Sequence, residues 1–220
     1  KFPCKKACGK MMMASRGAAL LRSLNRRSRR LSAATGQLLP PGASYHEEFL
    51  TERQHDALVA VIEKRLGRRR YEKDHWDSVI VNYREGEVPE RFFGGAAREA
   101  LEETRRFLAD AHGVDAFLEP HAIDLADAGS AISAHVDSVK FSGGVVAGLS
   151  LLSPATMELA EADDATGEPR PGGARYDLRL APRSLYVLAG DARFAHAHAV
   201  GDLAGRRLSL IFRDAKDEAG

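Results

Sequence analysis

The segment AISAHVDSVKF, residues 131–141, places His135 and Asp137 two residues apart in a stretch whose pattern predicts a buried strand. Side chains at positions i and i+2 of a strand point to the same face, with their Cα atoms about 7 Å apart. An imidazole and a carboxylate on one face can hold a metal ion between them. The same spacing also fits an ordinary half-buried pair, so other residues must decide between the two interpretations.

A third metal ligand is available at His198, just past the predicted strand SLYVLAG. Two histidines and one carboxylate can form a facial triad, which leaves positions around an octahedral metal open for a cosubstrate and oxygen. In an extended segment His196 shares a face with His198 and competes as the distal ligand. We expect His121 to be a hydrogen-bonded strand residue. A second copy of the pattern, His75-Trp76-Asp77, is expected at the surface or on the substrate side.

The segment RRLSLIFR, residues 206–213, alternates as a strand with one polar and one apolar face. Arg207, Ser209 and Arg213 share the polar face, and inward arginines need anions because a buried unpaired guanidinium is costly. The gap between the two arginine side chains fits a five-carbon dicarboxylate such as 2-oxoglutarate. Arg207 would then hold the distal carboxylate, with Arg213 near the metal. The phenol of Tyr186 can donate to the same carboxylate.

The elements that must position these residues are two helices followed by at least six short strands. Thr51 and Gln54 form a possible capping box for the first helix, and the second covers 94–112 and stops at Gly113. The strand-like runs are 117–125, 132–139, 144–152, 175–180, 183–189 and 206–213. This order predicts a mainly β (α+β) fold, a sandwich or jelly roll with two covering N-terminal helices.

Charge is distributed unevenly along the chain. Residues 1–46 carry ten Lys or Arg and no acid, which leaves 22 basic and 31 acidic residues elsewhere, a formal charge of −9. The Arg- and Ser-rich start is typical of a mitochondrial presequence, and a disordered basic tail that binds nucleic acid is the alternative. We predict a leader at 1–36, a linker at 37–44, one folded domain at 45–214 and a tail at 215–220.

Several classes of protein are disfavoured by what the sequence contains. Both cysteines, Cys4 and Cys8, lie at the start, so a disulfide or thiolate metal site in the domain is not expected. No apolar run approaches the roughly 18 residues of a membrane span. A Gly-rich phosphate loop and a GxSxG motif are also missing, and we expect a monomer.

Six stretches of the chain resemble one enzyme family. They are RRRYEKDHWD, HAIDL, HVDSVKF, GLSLLSP, SLYVLAGDARF and GRRLSLIFR, and together they span roughly residues 45–214. They are similar to the AlkB-type Fe(II)/2-oxoglutarate dioxygenases, in particular to their mitochondrial branch, the seventh AlkB homologue of animals. The long run HVDSVKFSGGVVAGLSLLSP makes the resemblance specific beyond the His-x-Asp pair.

The resemblance implies a double-stranded β-helix and a role for each matching residue. In the family pattern an Arg-aromatic pair precedes the distal histidine, and Arg193-Phe194 thereby selects His198 over His196. The implied Fe(II) ligands are His135, Asp137 and His198. The implied 2-oxoglutarate contacts are Tyr186, Arg207 and Arg213, with Ser209 between the arginines, and O2 is the second cosubstrate.

The resemblance also implies an activity, the oxidation of a C–H bond with decarboxylation of 2-oxoglutarate to succinate. Ala131, Ser133 and Ala134 stand where such proteins often carry an aromatic, a Lys and a Pro, so the substrate-facing rim differs. The acidic domain favours a protein or metabolite substrate. The presequence and the resemblance predict the mitochondrial matrix as its location. A link to fatty-acid metabolism and programmed necrosis is implied by the resemblance alone.

Two other functions stay open at this point. Oxidative demethylation of N-methylated RNA or DNA bases is one, because Tyr71 and Trp76 in RRRYEKDHW could stack a base if they do not pack on the core. The other is a jelly-roll module that binds a metal or ligand without turnover. Inward arginines at 207 and 213 argue against such an inert module.

Overall fold

The structure, a computed structural model, describes residues 39–74, 79–138 and 142–215. The predicted leader at 1–36 and the residues from 216 onward lie outside the described residues. So does the second His-x-Asp copy, His75-Trp76-Asp77, together with its tryptophan. The predictions that rest on these segments therefore stay predictions.

The described residues contain eleven strands, all joined by antiparallel pairing into one curled sheet. The strands are β1 Ala43–His46, β2 Glu72–Asp74, β3 Ile80–Glu87, β4 His121–Leu125, β5 Ala131–His135, β6 Val145–Leu152, β7 Ala155–Glu161, β8 Arg175–Leu180, β9 Leu185–Ala189, β10 His196–Gly201 and β11 Arg207–Arg213. Their order is β1-β9-β6-β11-β4-β3-β5-β10-β7-β8, with β2 paired to β3. Residues of β9, β6, β11 and β4 line the same cavity as residues of β5 and β10, which makes the sheet a half-barrel.

Two long helices precede most of the sheet. They are α1 Glu52–Leu66 and α2 Gly95–His112, with a 3-10 turn at Glu90–Phe92 and the short helix α3 Gly190–Phe194. The predicted capping box at Thr51 and Gln54 is present, and α2 ends at Gly113 with a positive φ of 68°, as predicted. Among the described residues, no helix has the length and apolar character needed to cross a membrane.

The apolar faces of the helices supply one side of the core. Leu58, Ile62 and Leu66 of α1 are fully buried, and α1 packs against both α2 and β3. Leu101 and Leu108 of α2 are buried at the predicted helical spacing. The predicted fold class, a mainly β jelly roll of the double-stranded β-helix type covered by two N-terminal helices, is confirmed.

Several strands were not predicted, and β3 shows the reason. The second half of β3 carries charged residues and resembles a loop by composition, but Arg84 pairs with Asp124 and Glu85 with His121 on the neighbouring strand β4. Strand β10, HAHAVG, is short and built of small residues and histidines, so its hydrophobic alternation is weak. Cross-strand partners that are distant in sequence stabilise both strands.

The predicted linker at 37–44 ends inside the sheet. Its last residues, Ala43 and Ser44, belong to β1, which pairs with β9. Gly42 has a φ of 87°, and a Cβ there would overlap the carbonyl of Ala189. This close approach requires glycine and seats β1 against the strand that carries Tyr186.

Candidate active site

The three predicted metal ligands converge at one end of the half-barrel. His135 of β5 lies directly opposite His198 of β10 in the antiparallel register, and their ring centroids are 4.4 Å apart. Asp137 follows β5 by two residues, and its Oδ1 lies 3.3 Å from Nε2 of His135. One ligand atom from each of the three residues lies within 4.8 Å of the others. A single metal ion therefore fits among them.

The chemistry of the three donors suits ferrous iron. Two imidazoles and one carboxylate are the donor set of non-haem Fe(II) oxygenases. Nδ1 of His135 donates to the Ser133 carbonyl oxygen at 2.9 Å, because a carbonyl can only accept. This hydrogen bond fixes the tautomer and leaves Nε2, the atom that faces Asp137, available to a metal.

Burial and neighbouring charges shift the pKa values of all three ligands. Burial, together with the nearby His135, lowers the pKa of His198 to about 4, so that its ring is neutral near pH 7. Burial alone would raise the pKa of Asp137, but its contact with the ring of His135 and the charge of Arg213 hold it well below its usual range. Although burial opposes it, the same contact raises the pKa of His135, so a proton on Nε2 of this ring must leave when a metal binds. An ionised carboxylate beside a neutral imidazole is the protonation state that a metal requires.

His196, the competing candidate, has another partner. Its Nδ1 donates to the carbonyl oxygen of Asp191 in α3 at 3.0 Å, and its ring lies 5.9 Å from the ring of Tyr176. It pairs with Glu161 of β7, whereas His198 faces His135. The group of close ligand atoms within the described ranges includes His198 and leaves out His196.

Arg207 is the most deeply buried charged group of the cavity wall. It is 1% exposed, and its guanidinium donates to the Ser153 carbonyl at 3.2 Å and to the Ser150 hydroxyl at 2.9 Å. Both partners are neutral. Burial lowers the pKa of Arg207 to about 10, which is the expected effect of removing a cation from water without a counter-ion. Such a group favours an incoming anion.

The other predicted site residues line the same cavity, which has a volume of about 710 Å³. Arg213 lies at the metal end, with its Nε 3.8 Å from Oδ2 of Asp137, and Ser209 lies between the two arginines on β11. Tyr186 of β9 is 6% exposed, and burial raises the pKa of its phenol to about 12, so it remains a hydrogen-bond donor. The arginine row thus runs from the deep end of the cavity to the metal ligands.

Some residues of the site were missed by sequence analysis. Ser150 and Ser153 orient Arg207, and the signal for Ser150 was a lone hydroxyl inside the apolar strand VVAGLSLL. Glu85, Glu87 and Glu119 line the cavity on the side of β3 and β4. Glu85 and Glu87 could not be assigned from sequence, because β3 was not predicted as a strand. Glu119 lies in the predicted run 117–125, but its place in the cavity depends on how that run pairs with β3.

Tyr71 and His121, whose roles the sequence left open, both have carboxylate partners. The hydroxyl of Tyr71 donates to the Asp124 carboxylate at 3.1 Å, and the Arg84 guanidinium lies 4.5 Å from the centre of its ring. Tyr71 is therefore packed in a charged cluster rather than free to stack on a base. Nε2 of His121 lies 3.0 Å from Oε2 of Glu85, which confirms the expectation of a hydrogen-bonded strand residue.

Comparison with known proteins places the chain in a family. It is 39% identical over 202 residues to the mitochondrial alpha-ketoglutarate-dependent dioxygenase alkB homolog 7 of Mus musculus, covering 86% of this chain and 85% of the mouse protein. It is 37% identical over 223 aligned positions to the Bos taurus protein of the same name, covering 94% of this chain and 95% of the relative. No protein-family model matches the chain.

The fold also matches a solved enzyme of very different sequence. A Trichoplax adhaerens prolyl hydroxylase in complex with a peptide fragment of hypoxia inducible factor superposes with a TM-score of 0.63 at 10% identity. The match covers 94% of this chain and 95% of that structure, and at such low identity it speaks for the fold alone. The identity to the mouse and bovine proteins decides the family: this chain belongs to the mitochondrial AlkB homologue 7 family and is an α-ketoglutarate-dependent dioxygenase.

Proposed function

We propose that this dioxygenase holds Fe(II) on His135, Asp137 and His198, and 2-oxoglutarate along the arginine row of β11. With O2 as the second cosubstrate, it would oxidise a C–H bond of a protein or small-molecule substrate in the mitochondrial matrix. The observation that carries the proposal is the row itself. At one end lies a buried arginine whose hydrogen-bond partners among the described residues are neutral, and at the other lies a set of three candidate metal ligands.

Different cavity residues would bind different parts of 2-oxoglutarate. The guanidinium of Arg207 offers a charge-assisted hydrogen bond to the distal carboxylate, and the phenol of Tyr186 adds a neutral donor from β9, on the other side of β6. Ser209 lines the middle of the row. Arg213, beside Asp137, supplies positive charge at the keto-acid end. Bound Fe(II) would supply the redox chemistry that couples decarboxylation of 2-oxoglutarate to succinate and CO2 with insertion of one oxygen atom into the substrate.

The charges at the cavity support a substrate that is not a polyanion. Glu85, Glu87 and Glu119 line the cavity near the exposed Leu118, and the domain as a whole is acidic. Carboxylates repel a phosphodiester backbone, whose binding normally depends on Lys and Arg contacts to phosphates. The involvement of Tyr71 in a charged cluster removes one of the two aromatics considered for base stacking. A role in fatty-acid metabolism or programmed necrosis is part of the proposal and is supported by family membership alone.

Turnover with fractionated substrates tests this function. The whole 220-residue chain with Fe(II), 2-oxoglutarate and O2 is incubated with the protein, RNA and small-molecule fractions of a mitochondrial matrix extract. Succinate is measured, and His135→Ala is the control. We expect a protein or small-molecule fraction to increase succinate formation in the wild type only, with one oxygen atom added to a component of that fraction.

The other outcomes separate the alternatives. Formaldehyde release from the RNA fraction would identify an N-demethylase and overturn the proposed substrate class. No succinate above the His135→Ala background with any fraction, and no binding of 2-oxoglutarate, would indicate a binding module without turnover.

A further inference from the structure

Asp137 lies outside the two strands that hold the other candidate metal ligands, His135 and His198. Strand β5 ends at His135, and residues 136–138 have no regular secondary structure. His135 and His198 are fixed by their strands, which pair with each other. Asp137 lies beyond that pairing, so another contact must fix its backbone if its carboxylate is to stay beside the two imidazoles.

Arg193 of α3 makes that contact. One nitrogen of its guanidinium donates to the backbone carbonyl of Asp137 at 2.9 Å, and the other donates to the hydroxyl of Ser142 at 2.9 Å. The two contacts lie on either side of residues 139–141. The side chain is 2% exposed, and its Nε has no hydrogen-bond partner among the described residues. Its hydrogen-bond partners among the described residues are thus the backbone carbonyl of Asp137 and a hydroxyl, both neutral, and its guanidinium also lies 5.0 Å from the centre of the Phe194 ring.

The helix that carries Arg193 is itself anchored. The ring of His196 donates to the Asp191 carbonyl, and the Ala192 backbone N–H donates to the Pro41 carbonyl at 3.0 Å. Helix α3 also joins β9, which carries Tyr186, directly to β10, which carries His198. Arg193 therefore connects the segment of the distal histidine with the segment of the carboxylate ligand.

We propose that Arg193 is a positioning residue of the metal centre, which holds the Asp137 backbone so that the carboxylate stays between His135 and His198. Its hydrogen bond goes to the backbone carbonyl of Asp137 and to neither carboxylate oxygen. Contacts that orient a metal ligand from outside the coordination sphere change metal affinity by about 10- to 100-fold when they are removed. The inference rests on the metal site of the proposed function.

Metal binding by the apoprotein tests this role without turnover. Mn(II) affinity of the whole chain is measured by titration for the wild type, Arg193→Met, Arg193→Lys and His135→Ala, together with the melting temperature of each protein without metal. We expect Arg193→Met to bind Mn(II) near the upper end of the 10- to 100-fold range more weakly, and Arg193→Lys near the lower end. A lysine keeps the charge and can reach one acceptor, but it cannot span both.

Asp191→Asn is the matched control. Asp191 lies on the same helix two residues before Arg193 and is exposed, and the change should leave Mn(II) affinity within about twofold of the wild type, since surface changes are usually small. Phe194 is not suitable, because the Arg193 guanidinium lies 5.0 Å from the centre of its ring. A purely structural role for Arg193 would lower the melting temperature while leaving the Mn(II) affinity of the folded protein unchanged.

The outcomes are decisive even if one variant does not fold. Should Arg193→Met fail to fold, Arg193→Lys carries the test, because it retains the buried charge. Mn(II) affinity equal to that of the wild type in a folded Arg193 variant would overturn the proposal. If the wild type does not bind Mn(II), or binds it no more tightly than His135→Ala does, the metal site itself is overturned. The proposed role of Arg193 then falls with it.

Discussion

Arg206 and Arg207 are neighbours in sequence, but the structure treats their charges in opposite ways. Arg206 lies against carboxylates: it contacts Asp124 at 3.0 Å through two nitrogens and Glu63 at 2.8 Å. Arg207 is 1% exposed, and in the part of the chain that the structure describes its hydrogen-bond partners are a hydroxyl and a carbonyl, both neutral. The pKa of Arg206 is raised by its hydrogen bond to Asp124, and the pKa of Arg207 is lowered by burial.

The surroundings of Arg206 form a closed charge network. Asp124 is fully buried and accepts hydrogen bonds from Arg84, Arg206 and Tyr71, which lie on or near three different elements. Glu63 of α1 completes the network from the helix side. The charges balance within the protein, so this cluster joins α1, β3, β4 and the start of β11 and needs no ligand.

The difference shows how stability and function can be separated between two adjacent residues. The charge of Arg206 is balanced by carboxylates of the protein, whereas Arg207 lies buried in the cavity wall with neutral partners among the described residues and therefore favours an incoming anion. Substitution of Arg207 should therefore weaken ligand binding without loss of folding stability. Substitution of Arg206 should lower folding stability with little change in ligand binding.

The largest expected effect is on 2-oxoglutarate binding by Arg207→Met. Removing one partner of a buried, hydrogen-bonded charge pair costs about 2 to 5 kcal/mol, so the affinity should fall at least about 30-fold. Stability should stay the same or rise slightly, because the variant no longer buries an uncompensated charge. Calorimetric titration of Mn(II)-loaded protein and urea unfolding measure the two quantities.

If Arg207→Met bound 2-oxoglutarate as tightly as the wild type, the contrast drawn between Arg206 and Arg207 would be wrong. It would mean that the guanidinium does not face the cosubstrate, despite the position of Arg207 in the cavity wall. Mn(II) affinity should be unchanged in this variant, which separates loss of the cosubstrate contact from loss of the metal.

The converse substitution, Arg206→Met, should affect stability. Loss of Arg206 leaves the buried Asp124 with Arg84 and Tyr71 only, and the free energy of unfolding should fall by about 2 kcal/mol. This value is below that of a fully buried pair because the Arg206 side chain is 32% exposed. Urea unfolding measures the loss, and 2-oxoglutarate affinity should remain within about twofold. A large loss of affinity at unchanged stability would contradict the division of roles.

A smaller effect is expected from Gly148→Ala, which sharpens the functional side of the comparison. Gly148 of β6 lies directly opposite Tyr186 of β9, and a Cβ there would come within 2.6 Å of the tyrosine hydroxyl. The phenol must move, and its hydrogen bond to the cosubstrate should weaken by about 1.5 kcal/mol, roughly tenfold in 2-oxoglutarate affinity. Calorimetric titration measures this change.

The matched control and a double variant isolate the cause. A Cβ at Gly201 of β10 would meet no atom within 4 Å, so Gly201→Ala should leave 2-oxoglutarate affinity unchanged. In a Tyr186→Phe background, Gly148→Ala should cost little further affinity, since the donor is already absent. Additive losses in the double variant would show that Gly148 acts through something other than Tyr186.

Local patterns predicted much of the fold and the composition of the candidate site. The capping box at Thr51 and the glycine stop at Gly113 depend on residues close in sequence, and both are present. The alternation of β11 predicted which side chains share a face, and Arg207, Ser209 and Arg213 do line one cavity. Such features are visible in a single sequence because they repeat at the period of the element.

Features that depend on distant partners could not be predicted. The charged half of β3 becomes a strand because Arg84 and Glu85 meet Asp124 and His121, about 40 residues away, across the sheet. The same limit applies to Arg193, whose contact with the Asp137 carbonyl depends on how α3 is placed. Nothing in a linear pattern shows that an arginine will donate to one particular backbone oxygen.

The most direct test of the account is a titration of 2-oxoglutarate into the whole chain with and without Mn(II), which supports binding without turnover. His135→Ala and His196→Ala are measured alongside the wild type. We predict metal-dependent binding that is lost in His135→Ala and retained in His196→Ala, because only His135 belongs to the set of close ligand atoms. Absence of binding in the wild type, or loss of binding in His196→Ala with His135→Ala intact, would contradict the assignment of the metal site and of the arginine row.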